Sequence, residues 1–178
     1  MRMLFFSMLF ALMATGLGQA QSNKPLVEAH AIMATDAAHA NSPLKMAVVA
    51  EVAAGYHIND HKPTLDYLIP TELKLDPSAE ITVANIVYPK GKLKKFEFSD
   101  VSLSVYEGTI VVGALLQVGK MVKPGSYDLK GKLAYQACND HACFPPASVP
   151  LALTVKIVAR TVPVNPEHSD VFERIQLE

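Results

Sequence analysis

The amino-acid sequence lacks tryptophan and is poor in aromatic residues, cysteine and net charge. Its 178 residues include 7% aromatics and two cysteines, and 16 Lys plus Arg nearly balance 17 Asp plus Glu. A protein that binds nucleic acid along its phosphates would carry an excess of basic residues, so this balance argues against that class. With 12 Pro and 9 Gly, the chain has too little of either for a collagen-like protein. No P-loop, G-x-S-x-G or H-E-x-x-H motif is present. The length fits a single domain with tails.

The longest apolar run, residues 3–14, lies at the N-terminus. It is too short for a spanning helix, which needs about 20 residues. Arg2 precedes the run, and Gly18 and Ala20 place small residues before a cleavage site. Residues 1–20 are therefore predicted to be a signal peptide, and the mature protein is expected to be secreted and not to span a membrane. Its cysteines would then lie in a compartment where disulfides persist.

The rest of the chain alternates short strand-like segments with turns. Residues 127–137 and 149–157 place hydrophobic side chains at every second position, which is the period of half-buried antiparallel strands. Strands at intervals of roughly 8–12 residues, without a long helical period, predict an all-β sandwich. Turn residues bound six further predicted strands, at 26–33, 44–52, 72–75, 81–88, 103–106 and 109–118.

The two ends of the chain differ from this strand-rich part. Residues 21–25 are a polar lead-in, 26–159 are predicted to form the domain, and 160–178 are predicted to be a linker with a short helical tail. Ser169 or Asp170 is expected to cap that helix, because both residue types are preferred at helix N-termini.

Both cysteines lie between the two clearest strands. They occur in the segment Tyr135-Gln-Ala-Cys138-Asn-Asp-His-Ala-Cys143-Phe-Pro-Pro146. This position predicts the tip of a hairpin, whose arms can bring Cys138 and Cys143 within disulfide distance. A loop this short would stabilise the fold only weakly as a staple, which favours a redox role. From the spacing alone, however, a structural bridge is equally compatible. The two prolines cannot donate to a ladder, so Cys143 is expected in accessible, irregular backbone.

Side chains next to the cysteines could tune their chemistry. A protonated His141 would favour a neighbouring thiolate, and Asp140 would disfavour it. The sign of their combined effect is not fixed by the sequence. Phe144 is expected to pack beneath the loop.

A metal site is the competing interpretation of this segment. Cys138, His141 and Cys143 could bind copper or zinc with help from His57, His61 or Met121. The cluster lacks the paired C-x2-C spacing of zinc sites, so neither a metal nor another cofactor is expected. His57 and His61 are interpreted as ordinary loop residues, because Gly55 and Pro63 make a helix carrying both improbable.

Five segments of the chain resemble one known family. They are Gly55-Tyr-His-Ile-Asn59, Leu68-Ile-Pro-Thr71, Tyr88-Pro89, Val105-Tyr-Glu-Gly108 and the cysteine segment itself. Together they are similar, over about residues 26–158, to the N-terminal domain of the thiol:disulfide interchange protein DsbD. The Y-Q-x-C…C-x-P-P ending is the most specific part. The resemblance implies an immunoglobulin-like antiparallel β-sandwich with the cysteine pair on a hairpin near its tip.

The resemblance also implies site residues. Cys138 and Cys143 match the redox pair, and Cys143 is expected to form mixed disulfides. The family shields its pair with a short segment bearing an aromatic side chain. Residues 95–101 lie in the comparable stretch, so Phe98 or Phe96 is the candidate cap.

By the same resemblance, the domain would act in the periplasm as a protein-disulfide reductase. It would accept reducing equivalents from a thioredoxin-like partner and pass them to disulfide isomerases or other exported proteins. Full-length members continue into a membrane electron-transport domain and a thioredoxin-like domain. These 178 residues contain neither, so a free-standing copy is expected to take electrons from a separate polypeptide. The alternative is a non-enzymatic interaction module with a static disulfide.

Overall fold

The computed structural model describes residues 25–177. The predicted signal peptide and almost all of the lead-in lie outside these residues. The described part contains twelve strands and one short helix. They are β1 (Val27–Met33), β2 (Ala38–His39), β3 (Pro43–Val52), β4 (His57–Asn59), β5 (Glu72–Leu75), β6 (Ile81–Val87), β7 (Lys92–Lys94), β8 (Leu103–Tyr106), β9 (Thr109–Val118), β10 (Gly125–Tyr135), β11 (Ala137–Cys138), β12 (Ala147–Val158) and α1 (Ser169–Phe172).

Two four-stranded sheets face each other. One has the order β1-β3-β9-β6, and the other has the order β2-β12-β10-β5, in which only β2 runs parallel to its neighbour. Val48 and Val112 from the first sheet and Leu133 and Val155 from the second belong to one buried core. A third, smaller sheet has the order β11-β4-β8-β7 and includes Cys138. The predicted immunoglobulin-like all-β sandwich is thus confirmed.

The hairpin of β10 and β12 positions the cysteine pair. The two strands pair without interruption from Gly125 opposite Ile157 to Tyr135 opposite Ala147. Their alternation buries Leu129 and exposes Lys130, as expected for strands with one face on the core. The chain between the strands therefore emerges at one end of the sandwich.

Several short elements differ from the sequence expectations. β2 lies between the strands predicted at 26–33 and 44–52, and β4 lies where loop residues were expected. Strands of two or three residues are too short to show an alternation of hydrophobic and polar side chains, so these two strands were not predicted. The predicted helix cap was wrong. His168 is the N-cap, in the left-handed region at φ 51°, and Ser169 and Asp170 lie inside α1. Within residues 25–177, no helix is long and apolar enough to cross a membrane.

The C-terminal segment packs back onto the sandwich. Asn165 Nδ2 donates to Asp36 Oδ2 at 2.7 Å, and the backbone N–H of Glu167 donates to the Ala34 carbonyl at 2.8 Å. Leu177 is buried at the end of this segment. The tail is therefore held against the sheet.

Gly113 on β9 makes room for this tail. A Cβ there would lie 2.7 Å from Cγ2 of Ile175 and 3.0 Å from Cδ2 of Leu177. We expect Gly113→Val to weaken docking of the tail by about 1–3 kcal/mol, because the added side chain overpacks this contact. Limited proteolysis should show faster cleavage within residues 165–177. Gly125→Ala is the control, because its Cβ would meet nothing closer than 3.7 Å. Equal cleavage of the two variants would contradict the prediction.

Candidate functional site

Cys138 and Cys143 form a disulfide at the end of the β10–β12 hairpin. β11, which ends at Cys138, pairs with β4, and residues 139–142 form the loop that leads to Cys143. The two cysteines also face each other as an isolated antiparallel bridge. The site is therefore a tight loop joined to the small third sheet.

The loop has hydrogen bonds of its own. Asn139 Oδ1 accepts from the backbone N–H groups of His141 and Ala142, at 2.9 and 2.8 Å. The Asn139 N–H donates to the Ala142 carbonyl at 2.9 Å, and the Phe144 N–H donates to the Ala137 carbonyl at 2.8 Å. An asparagine side chain that accepts from backbone two residues on is a common way to close a turn. Four hydrogen bonds that do not involve sulfur thus hold this loop.

The two cysteines differ in exposure. Cys138 is 1% exposed in β11, whereas Cys143 is exposed. Pro145 and Pro146 follow Cys143, and neither has an N–H to donate to a strand. Cys143 is therefore the more accessible of the two cysteines.

His57 lies opposite Cys138, and its interpretation as a loop residue was wrong. It begins β4 and is the register partner of Cys138 on β11. Its side chain is 1% exposed, and its Nε2 has no hydrogen-bond partner within residues 25–177. Directly opposite residues on antiparallel strands share a face, with Cβ atoms about 4.5–5.5 Å apart. The one sequence signal for this position was that His57 belongs to the Gly55–Asn59 run.

Three stacked rings lead from His57 to the surface. The His57 and Phe96 ring centroids lie 4.2 Å apart, and those of Phe96 and Phe98 lie 5.2 Å apart. Phe96 is buried in a small cluster with Leu103 and Val105, whereas Phe98 is 44% exposed. Of the two candidate cap residues, Phe96 therefore packs inside and Phe98 is the outer ring.

Three charged groups influence His57: Lys94 on β7, Glu107 just after β8, and Asp140 on the cysteine loop. Lys94 lies 5.4 Å from the Phe96 ring centroid and 2.6 Å from the Glu107 carboxylate. Burial lowers the pKa of His57 and is the largest cause; Lys94 lowers it further, while Glu107 and Asp140 oppose the shift. Since the ordinary histidine pKa is already about 6.5, His57 is neutral at neutral pH.

Asp140 and His141 are both exposed on the loop. The backbone N–H of His141 donates to Asn139 Oδ1. Their influence on the thiols stays a prediction. Phe144 packs against the main core, with its ring 5.8 Å from that of Tyr56.

The other residues of the metal interpretation lie in different surroundings. His61 stacks on Tyr88 at 3.7 Å, and Met121 is highly exposed. In the described part of the chain, no three His, Cys, Asp or Glu side chains gather in a way that could hold a metal ion.

Asp60 anchors the strand that carries His57. It directly follows β4, and its carboxylate accepts from the Ser104 hydroxyl at 2.6 Å and from the Tyr106 hydroxyl at 2.5 Å. Burial alone would raise the pKa of Asp60, but these hydrogen bonds outweigh it and hold the pKa below its ordinary value. Burial, followed by the bond to Asp60, raises the pKa of Tyr106 well above its ordinary value. This cluster was not predicted from the sequence.

The site is a short disulfide-bonded loop on the end of a β-sandwich, with one buried and one exposed cysteine. The family model of the N-terminal region of the thiol:disulfide interchange protein DsbD matches residues 23–154. The chain belongs to this family.

Solved structures of related domains are distant in sequence. The reduced DsbD N-terminal domain of Neisseria meningitidis is 20% identical, with a TM-score of 0.43 over 76% of this chain and 90% of its own. The complex between the DsbD and PilB N-terminal domains of that organism gives 21% identity and a TM-score of 0.40, over 68% and 80%. The N-terminal periplasmic domain of ScsB from Proteus mirabilis gives 12% identity and a TM-score of 0.46, over 83% and 49%. A search of curated proteins found no match.

Proposed function

We propose that this domain carries electrons in the periplasm from a thioredoxin-like partner to disulfides of exported proteins. The observation that carries the proposal is the unequal exposure of Cys138 and Cys143 on a domain of this family. An exchange site needs one sulfur that a partner can reach and a second that completes the exchange. The solved complex of a DsbD N-terminal domain with a PilB N-terminal domain supports the proposal that the partner is a protein.

Reduction of the domain begins at Cys143. A thiolate of the partner attacks the Cys143 sulfur, the bond to Cys138 breaks, and Cys138 leaves as a thiolate. The second thiol of the partner then attacks the partner's own sulfur in this mixed disulfide and releases Cys143. The partner is oxidised to its disulfide, and the domain gains two electrons and, from solvent, two protons.

Reduction of a substrate runs the same chemistry outward. The Cys143 thiolate attacks a substrate disulfide, forms a mixed disulfide and releases one substrate thiolate. Cys138 then attacks the Cys143 sulfur, which restores the domain's disulfide and releases the second substrate thiolate. In both directions, the sulfur–sulfur bonds of this domain form and break at Cys138 and Cys143.

The reduction potential of the purified protein tests this proposal. Equilibration against glutathione or thioredoxin, followed by thiol alkylation and mass measurement, should give a value within the oxidoreductase range of roughly −120 to −270 mV. A value below about −300 mV, typical of structural disulfides, would instead support an interaction module with a static bridge.

Phe98 is proposed to be the cap of the site. We expect Phe98→Ala to increase severalfold the rate at which dithiothreitol reduces the disulfide, because the outer ring would no longer restrict approach to the pair. This rate is measured by stopping the reduction at intervals with an alkylating reagent and determining the mass of the protein. Val101→Ala is the matched control, since Val101 is 43% exposed in the same stretch. Equal rates in both variants would show that Phe98 is not the cap.

A further inference from the structure

We propose that His57 is a third functional side chain of the site, whose Nε2–H donates a hydrogen bond to the Cys138 thiolate when the disulfide opens. This inference deepens the proposed function and rests on it, because exchange at Cys143 makes Cys138 the leaving thiolate.

The position of His57 is the first argument. It is the direct cross-strand partner of Cys138 in the pairing of β4 with β11. Both side chains are 1% exposed, so both face the interior at this pair. A cross-strand Cβ separation of about 4.5–5.5 Å leaves an imidazole nitrogen within reach of the cysteine sulfur after small adjustments of the side chains.

The unpartnered Nε2 is the second argument. Within the described residues, this buried atom has no hydrogen bond while Cys138 is in the disulfide. Buried polar groups nearly always have partners, so an orphan calls for an explanation. A disulfide sulfur is a weak acceptor, whereas a thiolate is charged and accepts strongly. Opening the disulfide thus supplies the partner that Nε2 lacks.

The charges around the pair are the third argument. A buried thiolate is costly without a positive charge or a hydrogen-bond donor. Lys94, the cation near His57, is already paired with Glu107, and Asp140 adds a negative charge. A neutral imidazole N–H is a donor that the site offers to this thiolate, and the lowered pKa of His57 is consistent with this form.

The consequence for exchange follows from the leaving group. When a partner thiolate attacks Cys143, the sulfur–sulfur bond breaks and its electron pair goes to Cys138. The hydrogen bond stabilises this thiolate while the proton stays on Nε2, and solvent protonates Cys138 later. Because a thiol of lower pKa leaves faster, His57 accelerates opening of the disulfide.

The test uses Cys143→Ser, which leaves Cys138 as the only cysteine. Absorbance of the thiolate near 240 nm, followed against pH, gives the pKa of Cys138. Adding His57→Leu should raise this pKa, so that the thiolate fraction below it falls about tenfold. His57→Gln places an amide N–H near the position of Nε2 and should restore part of the fraction. His30→Leu, an exposed histidine on β1, is the control and should change nothing.

An unchanged or lowered Cys138 pKa in folded His57→Leu protein would overturn the inference. A lowered pKa would mean that His57 accepts from the Cys138 thiol instead. If His57→Leu does not fold, ¹⁵N spectra of histidine in the Cys143→Ser protein decide the question. They should show neutral His57 protonated at Nε2, with a shift that moves as Cys138 ionises; protonation at Nδ1 would overturn the inference.

The failure of the proposed function gives a different result. Absence of exchange with thioredoxin, together with a Cys138 pKa that depends on His57, would refute the electron-carrier function and support the hydrogen bond. Exchange at the wild-type rate in His57→Leu, with an unchanged Cys138 pKa, would refute only the role of His57.

Discussion

Cys138→Ser is expected to trap a mixed disulfide between Cys143 and a substrate protein that presents a disulfide, whereas Cys143→Ser is expected to form none. The difference follows from exposure, because Cys143 is open to a partner and Cys138 is buried beneath the loop. Without Cys138, no internal thiol can resolve the mixed disulfide. Non-reducing electrophoresis and mass spectrometry of the adduct measure the result.

The control for this experiment is the fold of the two serine variants. Both change the same disulfide by one atom, so both should have the same circular dichroism and similar unfolding transitions. Equal trapping by both variants would contradict the assignment of roles. Trapping by Cys143→Ser alone would reverse it.

Asp60→Asn is expected to lower the free energy of unfolding by about 2–4 kcal/mol, because it replaces a carboxylate that accepts from Ser104 and Tyr106. Urea unfolding measures the loss. Asp66→Asn is the matched control, since Asp66 is exposed in the loop that follows and should change stability by less than about 0.5 kcal/mol. Equal losses in the two variants would mean that these hydrogen bonds contribute little.

The same carboxylate gives a pH dependence with a defined sign. The pKa of Asp60 is lower in the folded protein than its ordinary value of 3.8, so the folded state favours the carboxylate more than the unfolded state does. Its contribution is complete above the unfolded pKa and is lost as pH falls through the folded pKa. The stability difference between the wild type and Asp60→Asn should therefore shrink below about pH 3.8. A difference that grows toward acid would contradict this assignment.

The strands that carry the core were the predictable part of the fold. β9 and β8 have the bounds that the sequence predicted, 109–118 and 103–106, because turn residues that are easy to recognise bound both segments. The hairpin of β10 and β12 was predicted because the hydrophobic side chains of both strands alternate. Because the cysteine segment lies between β10 and β12, the sequence also predicted its place at the end of the sandwich.

The surroundings of the disulfide were less predictable. His57 was read as a loop residue because β4 has three residues, and its partner Cys138 lies about 80 positions away. Pairing at that separation depends on the whole fold and leaves no local pattern. The stack of His57, Phe96 and Phe98 likewise joins separate segments, so the sequence could not distinguish the inner ring from the outer one.

The hydrogen bonds of the cysteine loop have a consequence for how such a carrier would choose its partners. Asn139 and the backbone hold residues 139–142 without help from sulfur, so we expect the loop to keep its shape when the disulfide is reduced. Electron donor and acceptor would then meet the same surface and compete for it, one at a time. Net flux between them would follow from their redox potentials and concentrations rather than from a change of shape in the carrier.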